Sequence, residues 1–472
     1  MENTVDPFSS AVTLATQIRT RQVSPLEVAN LYLDRIDAYN PEINAIVWRN
    51  DEEVRLAAKR AEQAVMDGED LPPFHGVPLP IKDLTNVTGH PNTHSSLAMS
   101  DAPQAESDLS AEKLAAGGFL FMGRTNSPEF GPLTVTENAR HGATRNPWDL
   151  SRTPGGSSGG AAAAVAAGLA PAAHASDGGG SIRVPSSACG LVGLKPSRGR
   201  VPQRVFGWEH STTEGTVVRH VEDAAAILDV MAGPDSLAWY SAPAPERPLA
   251  REVGADAGRL RVGLLLGAPT GVSVDPECEA AATRLASILE GMGHVVYPVS
   301  PTFFSREAID GFQMIIGASL AAMDYDDRTR VDQYIAHRLA TADAHSAGDY
   351  ARASARLQLE SRVITGQWGR EFDVLVTPTM ACETPLVGSV YDEANNDPAG
   401  PRLTELQMIS FTSFCNITGL PAISLPVHTS TMGMPVGAQI VGGPYQEATL
   451  IRLGSAVERH VGWTGAIAPA YA

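Results

Sequence analysis

Residues 152–190 read RTPGGSSGGAAAAVAAGLAPAAHASDGGGSIRVPSSACG, a run of the smallest residues set around a few serines. Tiny side chains let one backbone approach another, or a ligand, very closely, and successive glycines can turn several N–H groups toward one point. Such a loop receives negative charge, either a phosphate or the oxyanion that develops when a carbonyl is attacked. A phosphate cradle needs G-x-x-x-x-G-K-[ST], and no lysine follows these glycines. An oxyanion site needs a nucleophile beside the loop, and Ser181 comes directly after Gly178-Gly179-Gly180.

The rest of the chain supplies a body for this loop. With 472 residues, 43% of them hydrophobic, it can bury a large core, and 44 Gly with 34 Pro stay below the composition of a disordered chain. The net charge of −18 without clusters of Lys or Arg argues against nucleic acid or an anionic membrane as partner. No basic segment followed by an apolar stretch opens the chain, and the Ala-rich window 161–175 is broken by Gly168, Pro171 and His174. A cytoplasmic location is the expectation. Cys189, Cys278, Cys382 and Cys415 are far apart and read as buried, reduced thiols. His90 and His94 have i, i+4 spacing, but Pro91 lies between them and no zincin glutamate is adjacent, so no metal and no cofactor are expected.

Three segments follow from the patterning. Residues 1–70 read as helices packed on the core: Ser24 caps a helix with Pro25 at its first position and Glu27 three after the cap, and a second helix, DEEVRLAAKRAEQAVMDG, stops at Gly68. Residues 71–235 alternate short apolar runs with Gly-rich turns and helical stretches, the pattern of a mixed α/β core. Residues 236–472 begin with a Pro- and Ala-rich connection over 237–258. LRVGLLL, a helix and VVYPV then make a βαβ unit. A helical region at about 303–370 is expected to shape the substrate pocket. FDVLVTPT, PAISLPV and MPVGAQIVGG return to the same sheet. The fold class is α/β, a mixed central β-sheet flanked by helices.

GGSSGGAAAAVAAG followed by SDGGGSIRVPSSACGLVGLKP resembles the core of the amidase signature family of serine hydrolases. HGVPLPIKD, GRTNSPEFG, TEN, GATRNPWD, FCNITGLPAISLPV and MPVGAQIVG extend the resemblance over nearly the whole chain. The resemblance implies the amidase-signature fold and a triad in which Lys82 is the base, Ser157 a bridging serine preceded by a cis peptide bond, and Ser181 the nucleophile. It also implies an oxyanion hole from the N–H groups of Gly178, Gly179, Gly180 and Ser181, with Phe130 and Gly131 at the acyl-binding side; the helical segment around Met314 is expected to line the same site. Gly178 departs from a pattern in which a larger apolar residue is common.

The chemistry is coherent. A serine hydroxyl needs an adjacent base, and a lysine can serve once burial lowers its pKa. Asp177 and Arg183 are expected to hold the loop by hydrogen bonds, Ser158 to be structural, and Cys189 to pack. The function so implied is a free-standing amidase acting on small, largely apolar or aromatic amides, with esters or carbamates as related substrates. Its partner would be the small-molecule amide alone, and the chain a monomer or homodimer. The alternative is the amidase subunit of a tRNA-dependent amidotransferase complex. A further competitor is the G-x-S-x-G elbow, which Gly155 to Ser157 to Gly159 satisfy with Asp373 and His428 downstream. An elbow requires a strand leading into it, and NPWDLSRTP does not read as one.

Overall fold

In a computed structural model that describes residues 5–472, the N-terminal signals act where the sequence puts them. The helix Pro25–Ile43 opens with Ser24 accepting from the Glu27 N–H while the Glu27 carboxylate accepts from the Ser24 N–H, and Asp51–Asp67 closes on Gly68 in the left-handed region. Between them lies a strand that the helical reading of 1–70 passed over.

Among the described residues eleven strands build two sheets: β1 Ile46–Trp48, β2 Pro78–Lys82, β3 Leu120–Thr125, β4 Ala172–Asp177, β5 Val192–Lys195, β6 Thr213–Val218, β7 Arg261–Leu264, β8 Val295–Pro298, β9 Val374–Pro378, β10 Ala422–Thr429 and β11 Pro435–Gly442. The larger sheet runs β4-β6-β5-β10-β11-β9-β7-β8. It is antiparallel from β4 to β9 and parallel from β9 through β7 to β8, where the helix Pro276–Gly291 makes the crossover. Strands from both halves of the chain therefore share one sheet. The smaller sheet, β1-β3-β2, stands apart by hydrogen bonding, although β2 lies alongside β4.

One face of the large sheet is covered by Pro276–Gly291 and Glu447–Val461, whose Leu285, Leu289, Leu450 and Val457 join Val376, Ile423 and Ile440 in the main core. The short helix Arg183–Cys189 lies against β5, β10 and β11. Helices Arg306–Ala321, Gln333–Asp343 and Ala347–Thr365 form a separate apolar cluster in which Phe312, Ile316, Tyr334 and Leu357 meet Phe130, Leu133 and Val135. Three cysteines are buried and Cys382 is half-buried; all four are free. Among the described residues no helix is long and apolar enough to cross a membrane.

The alanine-rich helix Gly159–Ala166 is buried at every position. Its small residues are dictated by neighbouring backbone: a Cβ at Gly160 would stand 2.5 Å from the Asn126 N and 2.8 Å from the Ala45 O. Backbone cannot give way as a side chain tip can. Gly160→Ala is therefore expected to cost about 2 kcal/mol in urea unfolding. Gly291→Ala, at a helix end with nothing within 4 Å, should be neutral or stabilising by up to about 1 kcal/mol. Equal effects at the two positions would contradict this packing.

Candidate active site

Lys82 ends β2, a strand buried at all five positions, so its amine is delivered into the interior beside β4. The following Asp83 fixes this delivery, accepting from the Ser95 N–H at 2.9 Å and the Thr93 N–H at 3.2 Å, while Arg124 donates to the Lys82 carbonyl at 3.0 Å. At its tip, Nζ of Lys82 lies 2.7 Å from Ser157 Oγ, 2.8 Å from Ser158 Oγ and 3.1 Å from Ser176 Oγ. Burial drives the lysine pKa down from 10.5 to about 7, against the opposing pull of the Glu214 and Asp177 carboxylates.

Ser157 follows a cis peptide bond from Gly156. Gly156 cannot carry a side chain, because its Cβ would sit 2.7–2.8 Å from the backbone of Thr134 and Val135. Thr136 staples the turn on both sides, donating to the Gly155 carbonyl at 2.8 Å and accepting from the Gly159 N–H at 3.0 Å. Ser158 donates to the Ser176 carbonyl at 3.1 Å, which leaves its lone pairs for the lysine.

The loop 178–181 hangs from the end of β4. Asp177, fully buried, accepts from the N–H of Gly180 at 2.7 Å, the N–H of Ile182 at 3.1 Å, Nε and Nη2 of Arg183 at 3.1 Å each, and Nδ2 of Asn416 at 2.9 Å. Burial alone would raise this carboxyl, but the Arg183 guanidinium, together with the Lys195 charge and the Asn416 amide, more than offsets it and holds the pKa at about 2. Arg183 in turn reaches Asn416 Oδ1 at 2.7 Å and Gln439 Oε1 at 3.2 Å. Thr412 donates to the Gly179 carbonyl at 2.7 Å. Turned by these bonds, Gly178, Gly179 and Ser181 keep backbone N–H groups without an acceptor among the described residues. Gly180 drops out of the donor set expected from the sequence, since Asp177 already holds its N–H.

A narrow cavity of about 70 Å³ opens on this loop. Ser181 lines it, and its hydroxyl has no hydrogen-bond partner among the described residues; it is not bonded to Ser157, whose single bond is to Lys82. Gly131, with φ of 88°, also lines the cavity, and its Cβ would come within 3.7 Å of Ser157 Oγ. The far walls are apolar, with Leu133, Ile309, Phe312 and Ile316, and the polar groups Gln313, Arg338 and Glu405 stand among them. Arg338 donates to Gln313 Oε1 at 3.1 Å from both terminal nitrogens.

Two expected pocket residues lie elsewhere. Phe130 is packed between His94 and Tyr325, at ring separations of 5.8 and 5.2 Å, and supports the cavity wall without lining it. Met314 is on the outward side of its helix, facing Asp310, His345 and Arg352, because the i, i+3, i+4, i+7 face over two turns places Ile309, Phe312, Gln313 and Ile316 inward instead. The residues that sequence reasoning missed, Arg338, Glu405 and Trp208, come from separate segments with no motif of their own. Asp373 pairs with Arg261 at 2.7 Å and His428 with Glu277 at 2.6 Å, so neither meets Ser157. His90 lies 3.3 Å from Glu53.

A mixed sheet carrying a buried lysine, paired serines and a glycine loop is an amide-hydrolase architecture, and the chain belongs to the amidase (amidase signature) family, whose model matches residues 27–451. It is a hydrolase acting on amide C–N bonds. Over 488 aligned residues it is 35% identical to the 6-aminohexanoate-cyclic-dimer hydrolase of Paenarthrobacter ureafaciens, covering 97% of this chain and 96% of that one. It is 36% identical to an acylamidase of Rhodococcus erythropolis over 471 residues, 96% of each. The solved structure of a 6-aminohexanoate cyclic dimer hydrolase superposes with a TM-score of 0.91 at 32% identity, covering 99% of both chains.

The Asp177–Arg183 pair yields a stability prediction. Asp177→Asn leaves a buried guanidinium uncompensated and is expected to cost about 3–5 kcal/mol in urea unfolding. A loss under about 1 kcal/mol would show that the loop does not depend on the pair.

Proposed function

We propose that the protein hydrolyses amides, and related esters or carbamates, of small and largely apolar or aromatic acyl groups through an acyl-enzyme on Ser181. The observation that carries this reading is the buried Lys82 amine, with a pKa near 7, at 2.7 Å from Ser157 Oγ beside the cavity that Ser181 lines. Ser181 Oγ attacks the carbonyl carbon and passes its proton to Ser157 Oγ, which passes its own to Lys82 Nζ. The oxyanion faces the free N–H groups of Gly178, Gly179 and Ser181, each donor of this kind being worth about 10²- to 10³-fold in rate. On collapse the C–N bond breaks, the amine leaves with a proton from Ser157, and Lys82 returns one to Ser157. Water then releases the acid by the same path in reverse order.

The apolar wall of Leu133, Phe312 and Ile316 suits a hydrocarbon acyl segment, and Gln313 with Arg338 offers hydrogen bonds to a polar group farther along it. The 6-aminohexanoate cyclic dimer named for one relative is an aliphatic amide of that general kind.

Because only the neutral amine can take the proton, kcat/KM should rise about tenfold per pH unit below about 7 and level off above it. Ser181→Ala should abolish turnover, and an activated ester or serine-directed phosphonate should add mass to the Ser181 peptide. Lys82→Arg should not rescue Lys82→Ala, since a guanidinium stays protonated. Labelling at Ser157 would overturn the assignment. Hydrolysis of glutamine alone, and only with partner proteins present, would favour the amidotransferase subunit.

A further inference from the structure

Trp208, Glu209 and His210 have φ values of 51°, 50° and 63°, three consecutive side-chain-bearing residues in the left-handed region. Such a backbone persists only where its surroundings hold it. Here Glu209 accepts from Tyr350 Oη at 2.7 Å and from Ser354 Oγ, both on the helix Ala347–Thr365. The His210 ring nitrogen Nδ1 lies 2.8 Å from Tyr240 Oη, and Gly207 N–H donates to Thr212 Oγ1 at 3.1 Å.

What this turn achieves is the placement of one indole. Trp208 lines the cavity with Ser181 and lies directly over the oxyanion-loop residue Gly178, where an added Cβ would be 2.5 Å from Cζ3 and 2.7 Å from Cε3 of the ring. The two positions share one volume, so a side chain can come from only one of them. With the indole in place the cavity holds about 70 Å³, well below the roughly 300–1,000 Å³ of most small-molecule sites.

We propose that Trp208 is the specificity-determining residue of the acyl pocket, occupying the space that Gly178 leaves open and restricting acyl groups to short or slim ones. The proposal rests on Ser181 being the nucleophile. Bulky, branched acyl groups collide with the indole, and a clash penalises only the group that reaches it. Glu209 is a positioning residue, acting through the turn it ties to Tyr350 and Ser354.

The test uses p-nitrophenyl acetate and p-nitrophenyl pivalate, with kcat/KM measured for each and the acyl adduct located by mass spectrometry. Trp208→Ala should raise the pivalate-to-acetate ratio of kcat/KM at least tenfold, and Trp208→Phe, with its smaller ring, and Glu209→Ala by smaller amounts of at least threefold. Circular dichroism melting checks that each variant is folded, and Trp208→Phe keeps the test decisive should the alanine variant not fold, because an acyl ratio left unchanged by the smaller ring would contradict a steric role. A ratio unchanged in both alanine variants, with the adduct still on Ser181, would overturn the proposal and leave the hydrolase reading intact. Absence of any adduct on Ser181 would overturn that reading and the proposal with it.

Discussion

The proposed chemistry depends on one buried lysine giving up its charge near neutral pH. Holding the Lys82 pKa near 7 puts the protonated form on the order of 5 kcal/mol above its cost in water. Among the described residues no carboxylate bonds directly to Nζ; the nearby Asp177 spends both oxygens on Arg183, Asn416 and its own loop. A neutral amine has two N–H groups and one lone pair. Ser158 and Ser176 can accept the two donors, because Ser158 places its own hydrogen on the Ser176 carbonyl, and the lone pair is left for the Ser157 hydroxyl. Under the proposed mechanism Ser158 is thus placed to orient the amine.

Everything around that amine follows from close approach. The strand bearing Lys82, the end of β4 and the turn at Ser157 meet within hydrogen-bond distance only because Gly156 and Gly160 let backbone pass backbone. The ion pair of Asp177 with Arg183 then sets the shape of the glycine loop. It uses the Gly180 N–H to do so, and leaves the N–H groups of Gly178, Gly179 and Ser181, residues that line the cavity, without an acceptor among the described residues. The helical region 303–370 supplies much of the opposite wall and leaves little room between.

Local signals with a physical mechanism were legible in the sequence. The Ser24 capping box, the glycine stop at Gly68, the βαβ unit before Pro298 and the late strands β9, β10 and β11 all stand where the pattern placed them. Three-residue β1 left no periodicity to find, and hydrogen bonding, invisible to pattern, set β2 in a small sheet of its own. Long motifs pointed to Lys82, Ser157 and Ser181; Lys82 Nζ lies 2.7 Å from Ser157 Oγ, and Ser181 lines the cavity. The pocket wall was harder. Met314 and Phe312 differ by two positions on one helix, and only the packing of that helix decides which faces inward. Likewise, the Gly180 N–H was misassigned because its partner, Asp177, lies three residues back and competes for it.

The state of the lysine can be observed without any substrate. The chain contains four lysines, Lys59, Lys82, Lys113 and Lys195, so a spectrum of protein labelled with ¹³C at lysine Cε is simple enough to follow across pH, with Lys82→Arg identifying the signal of interest. The account predicts that the Lys82 resonance titrates with a midpoint near 7, while Lys195, lowered by its own burial to about 8, is told apart by its survival in the variant. A Lys82 midpoint at the ordinary value above 10 would mean a charged lysine at neutral pH, and it would contradict the role of this amine as the base.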